Sequence, residues 1–142
     1  MSRLIDPIVR ALLSAGYALV KRRTRARAGV HAVALTPERR IVLVKLRYAP
    51  GWRLPGGGMH AREDPRNAVL RELREEIGMT GCGAMTEVRV GGDPLMLVRD
   101  VRYTPRRWSW EVEDILEASP QDLPHDLSRI AAHWLAAVRD RI

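Results

Sequence analysis

Three glutamates, Glu72, Glu75 and Glu76, lie close together in a stretch with helical spacing. On a helix that turns about 100° per residue, Glu75 lies near −60° and Glu76 near +40° relative to Glu72, so the three carboxylates share one arc. A neighbouring apolar face is formed by Val69, Leu70, Leu73 and Ile77. Glu72 and Glu76 form a like-charged i,i+4 pair, which destabilises an isolated helix by roughly a few tenths of a kcal/mol. A cation between these carboxylates would remove that repulsion.

Two interpretations of this helix are open. The first is a solvated charged face with helical ion pairs, such as Arg71 with Glu75 at i,i+4. The second is a metal site, because Mg²⁺ prefers oxygen ligands and bridges carboxylates to substrate phosphates. The upstream residues favour the second interpretation. Glycines at 56–58 let the backbone approach another group closely, and Glu63 lies where the helix begins. This combination predicts a pyrophosphate-binding site.

From Gly57 to Met79 the sequence resembles the Nudix hydrolase signature. That signature is glycine, five residues, glutamate, seven residues, then Arg-Glu-aliphatic-x-Glu-Glu-x-Gly-aliphatic. Its fixed positions are filled here by Gly57, Glu63, Arg71, Glu72, Leu73, Glu75, Glu76, Gly78 and Met79. The preceding residues 52–56 are also similar to the usual lead-in of the family. One variable position departs from many members, because Arg62 replaces a glycine there, and we expect an altered loop shape.

The resemblance implies hydrolysis, dependent on Mg²⁺ or Mn²⁺, of a nucleoside diphosphate linked to another moiety. The substrate would be of the nucleotide, nucleotide-sugar or ADP-ribose type. The metal ligands implied by the resemblance are the Gly57 backbone, Glu72, Glu75 and Glu76. The residues implied to take part in catalysis are Glu63, Arg71, Glu75 and Glu76, with Arg71 orienting a glutamate. The general base varies within the family, and Glu75, Glu76, Glu111 or Glu113 are the candidates here.

Substrate specificity depends on residues outside the signature, and the sequence leaves the substrate open. We predict that Trp52, Arg53 and Glu111 contact it. An arginine suits a phosphate group, because its guanidinium can donate two parallel hydrogen bonds. Five aromatic side chains could stack on a base or build the core: Tyr48, Trp52, Tyr103, Trp108 and Trp110.

The carboxylates need a helix to position them, and the sequence predicts one from Pro65 to Ile77. Asp64 is a plausible N-cap, and Pro65 suits the first helical position. Gly78 lies where a helix often ends with a left-handed glycine.

The rest of the chain alternates strands with helices, which predicts an α/β (α+β) fold. The predicted strands are Gly29–Leu35, Ile41–Leu46, Trp52–Leu54, Ala84–Val90 and Leu95–Tyr103. The glycines at 56–58 are predicted as a loop, and residues 91–94 as a turn. Residues 108–112 form either a strand or a loop that presents Glu111. A final apolar stripe from Leu127 to Val138 predicts a helix. With the Nudix resemblance, the expected architecture is an α-β-α sandwich around a central mixed sheet.

The N-terminal residues carry a separate pattern. Apolar residues recur at helical spacing over 3–20 and run into a basic stretch at 21–27. We therefore expect an N-terminal amphipathic basic helix over 1–28 and a Nudix hydrolase domain over 29–142. The helix would pack on that domain or across a homodimer. Attachment to nucleic acid or to a membrane surface is a further interpretation.

Composition narrows the class of protein. A chain of 142 residues forms one domain, and its net charge of +7 favours an acidic partner such as a nucleotide or nucleic acid. The charged residues in the N-terminal stripe argue against a signal peptide and a membrane span, and a single cysteine fits the reducing cytoplasm. Two further interpretations stay open: a nucleotide-sensing module, and a protein that binds or processes RNA 5′ ends.

Overall fold

The computed structural model describes residues 11–12, 29–107 and 109–142. Apart from residues 11–12, the predicted N-terminal helix and its basic run lie outside the described residues, as does Trp108. The division between 1–28 and 29–142 therefore stays a prediction. Among the helices of the described residues, none is long and apolar enough to span a bilayer.

Nine strands and two α-helices make up the described chain. The helices are α1, Pro65–Ile77, and α2, Arg129–Ala137, which is followed by a short 3₁₀ turn at Arg139–Arg141. The strands are β1 Gly29–Ala34, β2 Ile41–Leu46, β3 Trp52–Arg53, β4 Gly56–Gly58, β5 Met79–Gly81, β6 Met85–Val90, β7 Asp93–Val98, β8 Arg102–Tyr103 and β9 Val112–Ala118.

The strands form a four-stranded sheet in the order β4-β1-β7-β6, a three-stranded sheet in the order β3-β2-β9, and a β5-β8 pair. β1 runs parallel to β7 but antiparallel to β4, so the largest sheet is mixed, as predicted. The β1–β4 register places Val30 opposite Gly57 and His31 opposite Gly56. That pairing holds the glycines beside a strand in which four of six residues are buried.

The sheets separate two hydrophobic cores, and β1 contributes to both. Val30 and Ala32 of β1 face the core beneath α1, whereas Val33 of β1, and Leu35 just after it, face the core beneath α2. A strand that is buried on both faces requires cover on both sides, which the two helices provide. The core residues that α1 supplies are Ala68, Val69, Leu73 and Ile77, and those of α2 are Ala131, Trp134 and Leu135. The predicted α-β-α sandwich is confirmed.

The prediction of one strand over Leu95–Tyr103 is wrong. β7 ends at Val98, and Asp100 adopts a left-handed backbone conformation with φ of 52°. β8 then pairs with β5 and not with the main sheet. The predicted turn at 91–94 is also shorter than expected. Only Gly91 and Gly92 form it, with φ of 59° and 90°, because a tight hairpin turn of this twist needs positive φ at both central residues.

Two further strands differ from prediction. The glycines at 56–58 form β4, although their composition is typical of a loop. β9 covers Val112–Ala118, beyond the predicted strand at 108–112. Of the two interpretations of that segment, the loop is the one observed, since residues 109–111 are irregular and Glu111 directly precedes β9.

Candidate active site

Helix α1 begins and ends as its sequence predicts. The Asp64 carboxylate accepts a hydrogen bond from the Arg66 N–H at 2.8 Å, which caps the first turn. At the other end, Gly78 adopts φ of 72°, and its N–H donates to the Leu73 carbonyl. A Cβ at Gly78 would clash with the Thr104 carbonyl oxygen. Glycine is therefore required there both by conformation and by space.

The three glutamates of α1 differ in depth. Glu72 and Glu76 are each only 8% exposed, whereas the Glu75 side chain is 56% exposed. The interpretation of all three as a solvated face is therefore wrong for Glu72 and Glu76. Burying an ionised carboxylate is costly unless hydrogen bonds or a positive charge compensate it.

Glu76 is the most deeply placed carboxylate. The Gly56 N–H of β4 donates a hydrogen bond to Glu76 Oε2 at 3.0 Å, which links the helix to the glycine strand. Burial raises the pKa of Glu76 well above its ordinary value of 4.5, and the nearby negative charge of Glu72 raises this pKa further. Glu111 and Glu75 add to the same effect, and the Gly56 hydrogen bond opposes it only in part.

Gly57 leaves the space that Glu72 occupies. A Cβ at Gly57 would lie 2.6 Å from Glu72 Oε1 and 2.8 Å from its Cδ, closer than side-chain carbons normally approach. Arg71 Nη1 donates a hydrogen bond to the same Oε1 at 2.8 Å. Burial raises the pKa of Glu72 above its ordinary value, and the hydrogen bond from Arg71 opposes this shift. A side chain at position 57 would therefore displace the Glu72 carboxylate from its observed place against the backbone.

Arg71 forms the main ion pair of the site with Glu63. Its Nε and Nη2 donate to the two Glu63 oxygens at 2.9 and 3.1 Å, a bidentate arrangement, and Nη2 also donates to the Gly58 carbonyl at 3.0 Å. The Arg71 hydrogen bonds and an N–H donated by His60 lower the pKa of Glu63 from 4.5 to about 2. The predicted i,i+4 partner Glu75 is more distant, at 3.7 Å from Arg71 Nη1. Arg71 therefore contacts both Glu63 and Glu72, and its role in orienting a catalytic glutamate stays a prediction.

The chemistry of these donors suits a hard divalent cation. Glu72 and Glu76 are buried oxygen donors, and the described ion pairs of Arg71 reach Glu63, Glu72 and Glu75 but not Glu76. Burial is the main cause that raises the pKa of both carboxyls, and the negative charge of neighbouring glutamates raises these pKa values further. Within the described residues, however, no three acidic, histidine or cysteine side chains converge in a geometry ready to hold a metal ion. Metal binding would thus require the glutamate side chains to turn toward one another.

Glu111 lies in a loop near this cluster, and hydrogen bonds hold that loop in place. The Arg47 N–H donates to the Glu111 carbonyl at 2.9 Å, and Arg47 Nε donates to the Ser109 carbonyl at 2.8 Å. The Ser109 hydroxyl accepts from the N–H groups of Glu111 and Val112 at 3.3 and 3.1 Å. The charge of Glu111 raises the pKa of both Glu72 and Glu76, so Glu111 lies on their side of the molecule. Contact between Glu111 and substrate stays a prediction. Sequence reasoning missed Arg47 and Ser109, because their hydrogen bonds to this loop join segments distant in sequence.

The other two predicted substrate contacts lie on β3. The Trp52 N–H donates to the Asp126 carbonyl at 2.9 Å, the Ser128 N–H donates to the Trp52 carbonyl at 2.8 Å, and the Trp52 ring packs against the α2 core. These contacts favour a packing role, and substrate binding by Trp52 stays a prediction. Arg53 is paired with Val44, a residue of the α1 core, so its side chain shares the face of α1. Its buried Nε has no hydrogen-bond partner.

Arg62, which stands where many family members have glycine, has φ of 62°. This left-handed conformation costs a non-glycine residue about 1–2 kcal/mol. The backbone at residue 62 therefore adopts a conformation that glycine favours, which agrees with the glycine that many family members have there. The loop thus differs less in shape from a loop with glycine than we expected.

Comparison with known proteins agrees with this geometry. The family model for the NUDIX domain matches residues 25–136. An RNA pyrophosphohydrolase of Gluconacetobacter diazotrophicus is 43% identical over 61 residues, which cover 37% of this chain and 36% of that protein. A MutT NUDIX hydrolase from Burkholderia pseudomallei has a similar structure, with a TM-score of 0.62 and 27% identity over 79% of this chain and 97% of that one. An ADP-ribose pyrophosphatase from Streptococcus suis has a TM-score of 0.56 and 20% identity over 82% of this chain and 94% of that one, which supports the fold alone.

The chain spans only about a third of the length of the first of these curated relatives, at 36%. The family match is far broader, since it includes all nine strands, α1, all but the last residue of α2 and the complete signature. The architecture, the signature and this match agree with one another. The chain belongs to the NUDIX domain family.

Proposed function

We propose that this protein is a Mg²⁺-dependent pyrophosphohydrolase that cleaves a P–O–P linkage in a nucleoside diphosphate derivative. The observation that carries the proposal is the pair of buried glutamates on α1, Glu72 and Glu76, held against the glycines of β4. A purely structural helix would gain nothing from burying two carboxylates with raised pKa values. A site that neutralises them with a cation explains their position.

In the proposed site, Glu72 and Glu76 hold the cation from the buried side, and Glu75 completes the set from the exposed edge. When bound, Mg²⁺ neutralises phosphoryl oxygens and lowers the pKa of a coordinated water. The Gly57 backbone lies against Glu72 and contributes to the same site. Arg71 keeps Glu63 and Glu72 oriented. Arg53 lies on the same face as α1 and is proposed to contact a phosphate through its guanidinium.

The general base is proposed to be one of the exposed glutamates near the α1 carboxylates. Glu76 is engaged by the Gly56 N–H, which suits a ligand better than a mobile proton acceptor. Glu75 is exposed, and Glu111 is exposed in the loop that Ser109 stabilises, so both side chains have access to water. Glu113 is exposed on β9 and is the remaining candidate. Comparing Glu75→Gln, Glu111→Gln and Glu113→Gln by kcat at saturating Mg²⁺ separates these roles, because only loss of the base lowers kcat without lowering metal affinity.

The proposal is tested by a screen of phosphate or nucleotide release, with Mg²⁺ and with EDTA. The substrates are nucleoside triphosphates, nucleotide sugars, ADP-ribose and dinucleoside polyphosphates. We expect turnover of at least one of them in Mg²⁺ and none in EDTA, with Mn²⁺ as a possible replacement. Turnover that persists in EDTA, or no turnover of any substrate, would contradict the proposal.

Processing of RNA 5′ ends is a second candidate, favoured by the relatives named RNA pyrophosphohydrolase and by the net charge of +7. Its test is pyrophosphate release from 5′-triphosphorylated RNA compared with ATP at increasing salt. RNA binding that weakens with salt and disappears on deletion of residues 1–28 would support it, because phosphate contacts release counterions. A nucleotide-sensing role predicts nucleotide binding without turnover.

The assembly and location of the protein are proposals of the same kind. We propose that a nucleotide-type small molecule is the main partner, and that the N-terminal segment packs on the domain or between two copies. Light scattering of the full chain and of a variant lacking residues 1–28 tests the homodimer. Attachment of this segment to nucleic acid or a membrane surface is the alternative outcome. A cytoplasmic location is proposed from the single cysteine.

A further inference from the structure

Strand β6 forms one edge of the four-stranded sheet. Among the described residues it pairs with β7 alone, whereas β1 and β7 each have a neighbour on both sides. Thr86, Glu87 and Arg89 of this strand are exposed. An edge strand presents backbone N–H and C=O groups that can pair with another chain. The direction of those groups and the side chains beside them decide which kind of partner fits.

The hairpin between β6 and β7 determines which backbone groups point outward. Val90 and Asp93 flank its two-glycine turn, and a turn of this length closes on a hydrogen-bonded pair of residues. Bonded and non-bonded pairs alternate from there, so the N–H and C=O groups of Arg89 and Glu87 point away from β7. Pro94, which lies opposite Arg89, agrees with this pattern because proline has no N–H to donate.

Contacts at the other end of β6 agree with the same alternation. The Arg99 N–H, just after β7, donates to the Ala84 carbonyl at 3.0 Å, so this carbonyl points inward. The next carbonyl, that of Met85, accepts a hydrogen bond from Arg66 Nη1 of α1 at 3.3 Å. The arginine side chain covers only the first of the three outward positions, and the other two lie along the open edge.

Opposite charges occupy those two positions. Glu87 and Arg89 lie on the same face of the sheet, where Arg89 Nη2 is 3.3 Å from Glu87 Oε1. When two copies of the strand run antiparallel about an axis through Val88, Glu87 of each copy lies opposite Arg89 of the other. A shift of two residues would place glutamate opposite glutamate or arginine opposite arginine, which is destabilising. A shift of one residue would set outward backbone groups opposite inward ones, which cannot pair.

We propose that β6 is a self-complementary dimerisation surface, which pairs antiparallel with β6 of a second copy of this chain about a two-fold axis through Val88. Such pairing joins the two four-stranded sheets into one continuous sheet. A two-fold interface uses the same patch on both subunits, and the order glutamate-valine-arginine meets that requirement. The strand lies within the domain, so this dimer does not depend on residues 1–28, and it goes beyond the proposed hydrolase function.

The test reverses one charge at a time in the full chain. Glu87→Arg and Arg89→Glu each turn two attractive cross-strand pairs into two repulsive ones. We expect each variant to have a dimer dissociation constant about tenfold to a hundredfold higher than that of the wild type. The double variant with both substitutions restores opposite charges and should dimerise as the wild type does. An equimolar mixture of the two single variants should form a heterodimer for the same reason.

Sedimentation equilibrium over a concentration series measures the association, and circular dichroism checks that each variant is folded. Glu38→Arg is the control, because it changes the net charge by the same amount as Glu87→Arg at an exposed turn outside β6. It should leave the dissociation constant unchanged.

Three results would each overturn the inference. The first is a wild type that stays monomeric at about 1 mM, the weak end of specific affinities. The second is a dimer that both single reversals leave unchanged, because another surface would then form it. The third is a double variant that stays as weak as the single ones, because the opposite charges would then not determine the pairing.

Discussion

Glu63 and Glu76 belong to the same signature but have opposite electrostatic environments. Glu63 precedes α1, receives two hydrogen bonds from Arg71 and one from the His60 N–H, and has its pKa lowered to about 2. Glu76 lies near the end of α1, receives one N–H from Gly56, and has its pKa raised well above 4.5. The difference is that an arginine compensates the charge of Glu63, whereas burial raises the pKa of Glu76 and a single backbone N–H opposes this shift only in part.

This contrast separates two uses of a carboxylate. A glutamate held by a bidentate arginine fixes the loop before the helix, and its charge is compensated within the protein. A buried glutamate without a cationic partner destabilises the metal-free protein and gains when a cation binds. Three substitutions and one series of pH values test this difference between the two kinds of glutamate. They are given from the largest expected effect to the smallest.

Glu76→Gln should have the largest effect. We expect activity to fall by about 10²–10³-fold, because the loss of a ligand removes several kcal/mol of charge stabilisation. In EDTA at neutral pH, the same variant should unfold at a higher temperature than the wild type. A carboxyl whose folded pKa is raised stabilises the fold below about 4.5, its ordinary value, and loses that contribution as pH rises through the folded pKa.

The measurements are initial rates with Mg²⁺ and thermal unfolding followed by circular dichroism. Glu38→Gln is the control, because Glu38 is exposed in the turn between β1 and β2. If Glu76→Gln destabilises the metal-free protein, the Glu76 carboxylate stabilises the fold. Its effect on stability would then be the same as that of Glu63, and the proposed difference between them would be wrong.

Gly57→Ala tests the space that Glu72 needs. The added Cβ would lie 2.6 Å from Glu72 Oε1, so the carboxylate must move. A displacement of about 1 Å at a catalytic site can cost about a hundredfold in rate, and we expect a loss of that size. Gly81→Ala is the matched control, since a Cβ at Gly81 has nothing within 4 Å. Equal activity of the two variants, measured by Mg²⁺ titration of turnover, would rule out the proposed contact.

Arg71→Lys tests whether the site needs the fixed orientation of Glu63 and Glu72 or only the positive charge of Arg71. Lysine keeps the positive charge but cannot donate in parallel to both Glu63 oxygens while also reaching Glu72. Loss of a residue that orients metal ligands typically costs about 10–100-fold in metal affinity or activity, and we expect a change in this range. Isothermal titration with Mn²⁺ measures the affinity directly. Wild-type affinity in this variant would mean that charge alone is sufficient.

The pH dependence of Glu63 gives the smallest effect. Because its folded pKa is lowered, its contribution to stability is present above the ordinary value of 4.5 and is lost as pH falls toward about 2. Urea unfolding midpoints of the wild type and Glu63→Gln should therefore differ at about pH 6 and converge as the solution approaches pH 2. A difference that stays constant with pH would show that the Arg71 ion pair is not its source.

Much of the site was predictable because it is local in sequence. The bounds of α1 follow from Asp64, Pro65 and Gly78, whose effects on a helix act within one turn. The helical angles also place Glu76 nearest the apolar face and Glu75 farthest from it, which agrees with the order of their exposure. The bidentate pairing of Arg71 with Glu63, eight residues apart, was not predicted, because it depends on how the preceding loop folds back.

The errors occur where pairing between distant segments decides the structure. The glycines of β4 have no intrinsic preference for a strand, and they form one because β1 lies opposite them. β9 carries charged residues in an irregular pattern and is defined by its register with β2. The burial of Glu72 and Glu76 is likewise set by β4 packing against α1, which hydrophobic periodicity does not reveal.

The hydrogen bond from the Gly56 N–H to Glu76 has a consequence for spectroscopy. The Gly56 amide proton of β4 is hydrogen-bonded to the Glu76 carboxylate, whose charge changes when a proton or a cation binds. Its chemical shift and its rate of exchange with deuterium should therefore follow the occupancy of the site. A single backbone resonance in the glycine strand would then report, without any substrate, how many molecules in solution hold a cation.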